Sequence, residues 1–136
     1  MIQPSKNSLL LRQARIVAPD RVIDAGVLLI EDDRIAGVFD SEKITPPTFD
    51  SVLDLDGATL FPGFIDLHIH GAVGVDTMEA NAEDLGRVGQ FLASQGVTAW
   101  LPTLVPSADD QYAHAVNAIG KLLGEQTAHA AFDAAR

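Results

Sequence analysis

From Phe64 onward the sequence runs short apolar strand, glycine-bearing loop, helix, strand, helix, and no other feature narrows the fold so much. Phe64-Ile65-Asp66-Leu67 is the strand, and it leads directly into His68-Ile69-His70-Gly71. A loop over residues 71–76 follows, with Gly71 and Gly74 placed for positive φ or close backbone approach. The spacing then predicts a helix over 83–95. Asn81 is its N-cap with Asp84 three residues on, Leu85, Val88, Phe91 and Leu92 line one face, and Gly96 closes it. Residues 97–101 form the next strand, stopped by Pro102, with Trp100 directed into the core. Ser107 and Asp110 form a capping-box-like start to a second helix. Tyr112, Ala115, Val116, Ile119, Leu122 and Leu123 form its buried stripe, and the alanine-rich tail 128–136 continues helically. Strand, helix, strand, helix is the pattern of parallel βαβ architecture, so the fold class is α/β.

The first sixty residues follow a different rhythm. Residues 9–17 are β-rich and end at the turn signal Pro19-Asp20. Residues 22–30 are a second run, and Asp32-Asp33 is a tight turn into 34–39. The stretch from Asp40 to Asp50 carries Pro46-Pro47 and reads as a loop. Residues 52–55 and 58–61 flank Asp56-Gly57, a hairpin signal. Together they predict a small β-unit of antiparallel type.

Composition excludes several functions. The chain of 136 residues has a net charge of −10, with nine Lys and Arg against nineteen Asp and Glu. Such a surface repels phosphate backbones and disfavours nucleic-acid binding. There is no cysteine, so any metal has to be held by His and carboxylate. Residues 1–19 hold only the short apolar run 9–11, less than a secretory leader needs. No segment approaches the ~20 apolar residues of a membrane span. A cytoplasmic protein without a membrane partner is the default expectation.

Chemistry concentrates at His68 and His70. Residues two apart on a strand point to one side, roughly 7 Å apart along the chain. Two such imidazoles can share one metal ion or bracket it; they can also be satisfied by backbone carbonyls alone. Position adds to spacing, because the C-terminal end of a barrel strand is where β/α enzymes place their active sites. Asp66 falls on the same face, one step deeper, as a partner for a histidine N–H or an ordinary buried polar group. Asp76 and Glu79 follow the loop and either touch substrate or metal or cap the next helix. Thr103 faces the same mouth as His70 and offers a polar substrate contact. His114 and His129 receive no role, and Asp20, Asp32, Asp33 and Asp56 are turn formers.

The run Pro62-Gly63-Phe64-Ile65-Asp66-Leu67-His68-Ile69-His70-Gly71 resembles the first-strand motif of the amidohydrolase superfamily. Asp54-Leu55-Asp56-Gly57 leading to Leu60-Phe61-Pro62-Gly63 is similar to the small β-sandwich that such enzymes place before their barrel. Within the superfamily the loop 71–76, the segment Gly96-Val97-Thr98 and the stretch Leu101-Pro102-Thr103-Leu104-Val105 look most like the N-acetylglucosamine-6-phosphate deacetylase family. The resemblance implies a β-sandwich part over residues 1–61 and the first two βα units of a TIM-type (β/α) barrel over 62–136, the barrel being incomplete in this chain. It further implies one or two divalent ions, Zn²⁺ by ligand type, with His68 and His70 as metal ligands. A water activated at the metal would attack an acetamide carbonyl, served by a carboxylate base on a later strand. The substrate would be a small amino-sugar phosphate and the assembly a homodimer.

A β/α barrel takes about 250 residues, and a catalytic zinc takes at least three protein ligands. The resemblance therefore predicts that the remaining ligands and the base lie beyond residue 136, that the chain is part of a longer protein, and that it is inactive alone. Its unpaired strands would also make it aggregate or stay partly molten. Two rivals stand beside this reading: a ring-opening amidohydrolase such as a dihydroorotase or hydantoinase, and a non-catalytic remnant.

Overall fold

The strand β1 (Ser8–Val17) organises the first part of the chain. Asn7 through Asp40 and residues 49–134 are described by the computed structural model, with side chains as far as Gln126. The loop expected around Pro46-Pro47 and the side chain of His129 lie outside the described residues. Two compact units result, Met1–Pro62 and Gly63–Arg136.

In the first unit β1 pairs antiparallel with β2 (Val22–Glu31), which pairs antiparallel with β3 (Arg34–Asp40). Asp32 and Asp33 make the two-residue turn between them, and Asp32 adopts φ 54°, a left-handed conformation that Asp tolerates better than most residues. On its other edge β1 pairs in parallel with both β4 (Ser51–Asp54) and β5 (Thr59–Leu60). The hairpin expected around Asp56-Gly57 is therefore not formed. The local turn exists, with φ of 46° and 82° and a bond of 2.8 Å from the Ala58 amide to the Leu55 carbonyl. Its two flanks continue along one edge of β1 instead of folding onto each other. The unit is thus a single mixed five-stranded sheet, not purely antiparallel, and no second facing sheet is formed among its described residues.

A bulge at Gln13 (φ 58°) shifts the register between Leu11 and Ala14. That one-residue slip changes which side chains share a face. It allows Leu11 to join Ala14 and Ile16 in a core with Ile23, Leu28, Ile30, Val38, Leu55 and Leu60. Arg12 and Asp54 face each other across the parallel pair in a two-pronged ion pair. The hydrogen bond and charge of Arg12 hold the Asp54 carboxyl below the ordinary carboxylate range.

In the second unit β6 (Phe64–Ile69) and β7 (Val97–Pro102) are parallel neighbours joined through α1 (Ala82–Ser94), and α2 (Asp109–Ala134) follows. Asn81 forms a reciprocal capping box with Asp84 at the start of α1, which satisfies donors that a helix end leaves orphaned. Leu85, Val88 and Leu92 are buried as the 3.6-residue period requires, whereas Phe91 is 40% exposed on the rim of that face. Trp100 packs against the cluster of Ala80, Leu85 and Ala118.

The start of α2 differs from the expected box: the helix begins at Asp109, and the Ser107 hydroxyl bonds the Gln111 side chain. Among its described side chains the buried positions are Ala115 and Ala118, while Val116 and Leu123 are exposed. Small residues set this contact. Gly86 of α1 lies within reach of Leu122, and residues of little bulk bring helices closer than a Leu-rich seam would. Ile65 (64%), Leu67 (68%) and Leu101 (55%) are exposed on the strand pair, although parallel strands in α/β proteins are normally covered on both faces.

Candidate metal centre

His68 and His70 converge at the C-terminal end of β6. Their Nε2 atoms are 3.1 Å apart, and the rings meet edge to face at 83° with centroids separated by 4.9 Å. Both side chains are exposed. The strand bends to permit this: the register with β7 shifts between Asp66 and Ile69, and the His68 amide donates to Asp66 Oδ1 at 3.0 Å. Asp66 thus serves the main chain of His68 and not an imidazole N–H.

Thr103, just past β7, holds the other side of the turn. Its amide donates to the Ile69 carbonyl at 2.8 Å, and its hydroxyl accepts from the Ile69 amide at 3.0 Å. Its carbonyl stands 3.2 Å from His70 Nδ1. From sequence Thr103 reads as a polar substrate contact or an outer partner of the metal ligands. Its relation to His70 emerges from the register, in which Ile69 opposes Pro102 and the next residues become neighbours.

The loop after His70 is sterically constrained. Gly71 has φ 138°, and a Cβ there would lie 1.9 Å from the Val75 carbonyl oxygen. Val73 (φ 50°) and Gly74 (φ 78°) then form a tight turn, closed by a bond of 2.9 Å from the Val75 amide to the Ala72 carbonyl. Asp76 accepts from the Met78 amide at 2.8 Å and shapes the turn ahead of Asn81. The cap of α1 belongs to Asn81 and Asp84, so neither Asp76 nor Glu79 caps the helix. Thr77 is fully buried, its amide bonded to the His70 carbonyl at 2.8 Å. His114, exposed on α2, reaches the Glu79 carbonyl with Nε2 at 3.3 Å. His70, Gly71, Ala72, Gly74, Val75 and Asp76 line an open depression of about 420 Å³.

The donor set suits a borderline-soft divalent cation. Two nitrogens each about 2.05 Å from one tetrahedral ion stand about 3.3 Å apart, so the 3.1 Å separation matches two ligands of a single ion. Among the described residues no group of three or more His, Asp or Glu side chains converges. These residues therefore fit a metal as two ligands of a larger set. No helix among them is long and apolar enough to cross a membrane.

A parallel βα unit with paired imidazoles at a strand's C-terminal end places them where β/α enzymes carry their sites, and the relatives that this chain matches bear the names of amide-hydrolysing enzymes. In particular they are sugar-phosphate deacetylases. The chain is 35% identical over 98 residues to N-acetylglucosamine-6-phosphate deacetylase of Bacillus subtilis (strain 168), covering 72% of this chain and 24% of that protein. It is 35% identical over 95 residues to N-acetylgalactosamine-6-phosphate deacetylase of Escherichia coli O157:H7, covering 70% and 23%. The crystal structure of N-acetylglucosamine-6-phosphate deacetylase from Pasteurella multocida superposes with a TM-score of 0.75 at 27% identity, over 86% of this chain and 31% of that one. The chain thus spans about a quarter of the length of the curated relatives it matches. No protein-family model matches it.

Proposed function

We propose that the protein carrying this chain is a metal-dependent deacetylase that hydrolyses N-acetylglucosamine 6-phosphate to glucosamine 6-phosphate and acetate. The observation that carries the reading is the convergence of His68 and His70 Nε2 at 3.1 Å, in a chain whose matched relatives bear deacetylase names. The exposed apolar side chains of the β6–β7 pair support residues 62–136 as the opening of a larger parallel barrel, with residues 1–61 as the adjoining β-unit.

In this reading His68 and His70 hold a divalent ion, zinc by ligand chemistry. The bound ion supplies Lewis acidity and makes water nucleophilic near neutral pH. Gly71 lets the loop fold back against the Val75 carbonyl beside the site, and the depression beside His70 receives the acetamide end. The remaining ligands, the proton-transferring carboxylate and the phosphate-binding groups are not assigned to the described residues. Phosphorylated sugars do not cross membranes unaided, which supports a cytoplasmic site of action.

The C4 epimer, N-acetylgalactosamine 6-phosphate, is a second substrate reading, favoured by the equal identity to the Escherichia coli relative. Acetate release from both sugars by the full protein, with metal content before and after His68→Asn and His70→Asn, tests the proposal. Loss of metal and of acetate release in both variants supports it. Full metal occupancy and turnover in the doubly substituted protein would sink it.

A further inference from the structure

We propose that Thr103 is a positioning residue that fixes the ring orientation and tautomer of His70, so that His70 is the preset ligand of the pair and His68 the recruited one. The inference rests on the metal-binding reading above only for its purpose; the geometry stands by itself.

A neutral imidazole carries one N–H and one lone pair. The Thr103 carbonyl can only accept, so at 3.2 Å it requires the proton on His70 Nδ1. His70 Nε2 then presents its lone pair toward His68. The contact of 3.1 Å between the two Nε2 atoms needs a donor, and His68 Nε2–H is the one left. The metal-free pair is therefore asymmetric. His70 already offers the nitrogen a cation needs, whereas His68 has to move its proton to Nδ1 before Nε2 can ligate. Among the described residues no group holds His68 Nδ1, so solvent can mediate that shift.

Thr103 is suited to hold its carbonyl still. Its amide and hydroxyl clasp the main chain of Ile69 from both sides, at 2.8 and 3.0 Å, and its hydroxyl donates to the Leu101 carbonyl at 3.3 Å. The hydroxyl thus supplies an acceptor for the Ile69 amide at the end of the strand pair. Partners of this kind on metal-binding histidines are worth roughly 10–100-fold in metal affinity.

The test is long-range ¹⁵N NMR of the metal-free full chain labelled at histidine, at an alkaline pH where the rings are neutral, with His70 assigned through His70→Gln. The wild type should show His70 protonated at Nδ1. Thr103→Ser should preserve this, and Thr103→Val should give mixed tautomers with zinc affinity about tenfold or more weaker. A wild-type His70 protonated at Nε2 would overturn the inference. So would an unchanged His70 tautomer in Thr103→Val, whatever the zinc affinity. If wild-type His70 is Nδ1-protonated but zinc does not bind, the metal reading fails and the role of Thr103 survives.

Discussion

Gly71→Ala isolates the steric cost of bending the chain beside the histidines. A methyl at Gly71 would sit 1.9 Å from the Val75 carbonyl oxygen, a main-chain atom that no rotamer change can move, and the residue has φ 138°. Occupying so sparsely populated a backbone region costs on the order of 1–3 kcal/mol. Forcing a group into filled space adds a further ~1–3 kcal/mol. Together the change should cost roughly 2–6 kcal/mol, a large part of the ~5–15 kcal/mol that stabilises a whole domain. Gly74→Ala is the internal control: φ is 78°, but nothing lies within 4 Å of the added carbon, so only the left-handed penalty of ~1–2 kcal/mol applies. Trp100 is the sole tryptophan and packs in the core of the second unit. In the longer protein, with any tryptophan outside residues 1–136 replaced by Phe, its fluorescence in urea titrations reports this unit. Equal losses in the two variants, or a Gly71→Ala midpoint indistinguishable from wild type, would refute the crowding argument.

On the function proposed above, removing either imidazole of the longer protein, in His68→Asn or His70→Asn, should cut metal occupancy and lower acetate release beyond the ~10–100-fold typical of outer partners, as read by elemental analysis and an acetate assay. Leu85→Ala, at a fully buried position, should cost about 2–5 kcal/mol in urea melts. Leu123→Ala, more than half exposed, should stay within about 0.5 kcal/mol. The Asp54 carboxyl is held low chiefly by its hydrogen bond to Arg12. Its contribution is therefore present above the unfolded carboxylate pKa of about 4 and is lost as pH falls through the lower folded value. Acid melts of Asp54→Asn should show a shallower loss below pH ~4, an effect that salt shrinks because the pair is exposed.

Local chemistry was legible wherever neighbours in sequence decide the outcome. Asn81 and Asp84 cap each other three residues apart, Asp32-Asp33 closes its hairpin, and His68 and His70 share a side because strands alternate. Distant partners decided the rest. Asp56-Gly57 has the dihedral chemistry of a hairpin turn, yet β1 captures both flanks, a competition that no short window contains. Hydrophobic periodicity favours large side chains and so picked out Val116 and Leu123. Close helix approach keeps Ala115, which belongs to the expected stripe, and adds Ala118, which does not. The bond from the His68 amide to Asp66 Oδ1 depends on how the strand bends, which alternation along a strand does not specify. Thr103 was recognised as near the mouth, but its hold on His70 depends on register between strands separated by a helix.

The central place of β1 shapes how the chain assembles during synthesis. This strand leaves the ribosome before the partners of one edge, and that parallel edge waits for Ser51 and Leu60. Until those residues emerge, one side of β1 offers an open template to any passing extended segment. Tethering the nascent chain at successive lengths should therefore show protease resistance arriving in one step after Leu60 has cleared the exit tunnel, and not gradually with each hairpin.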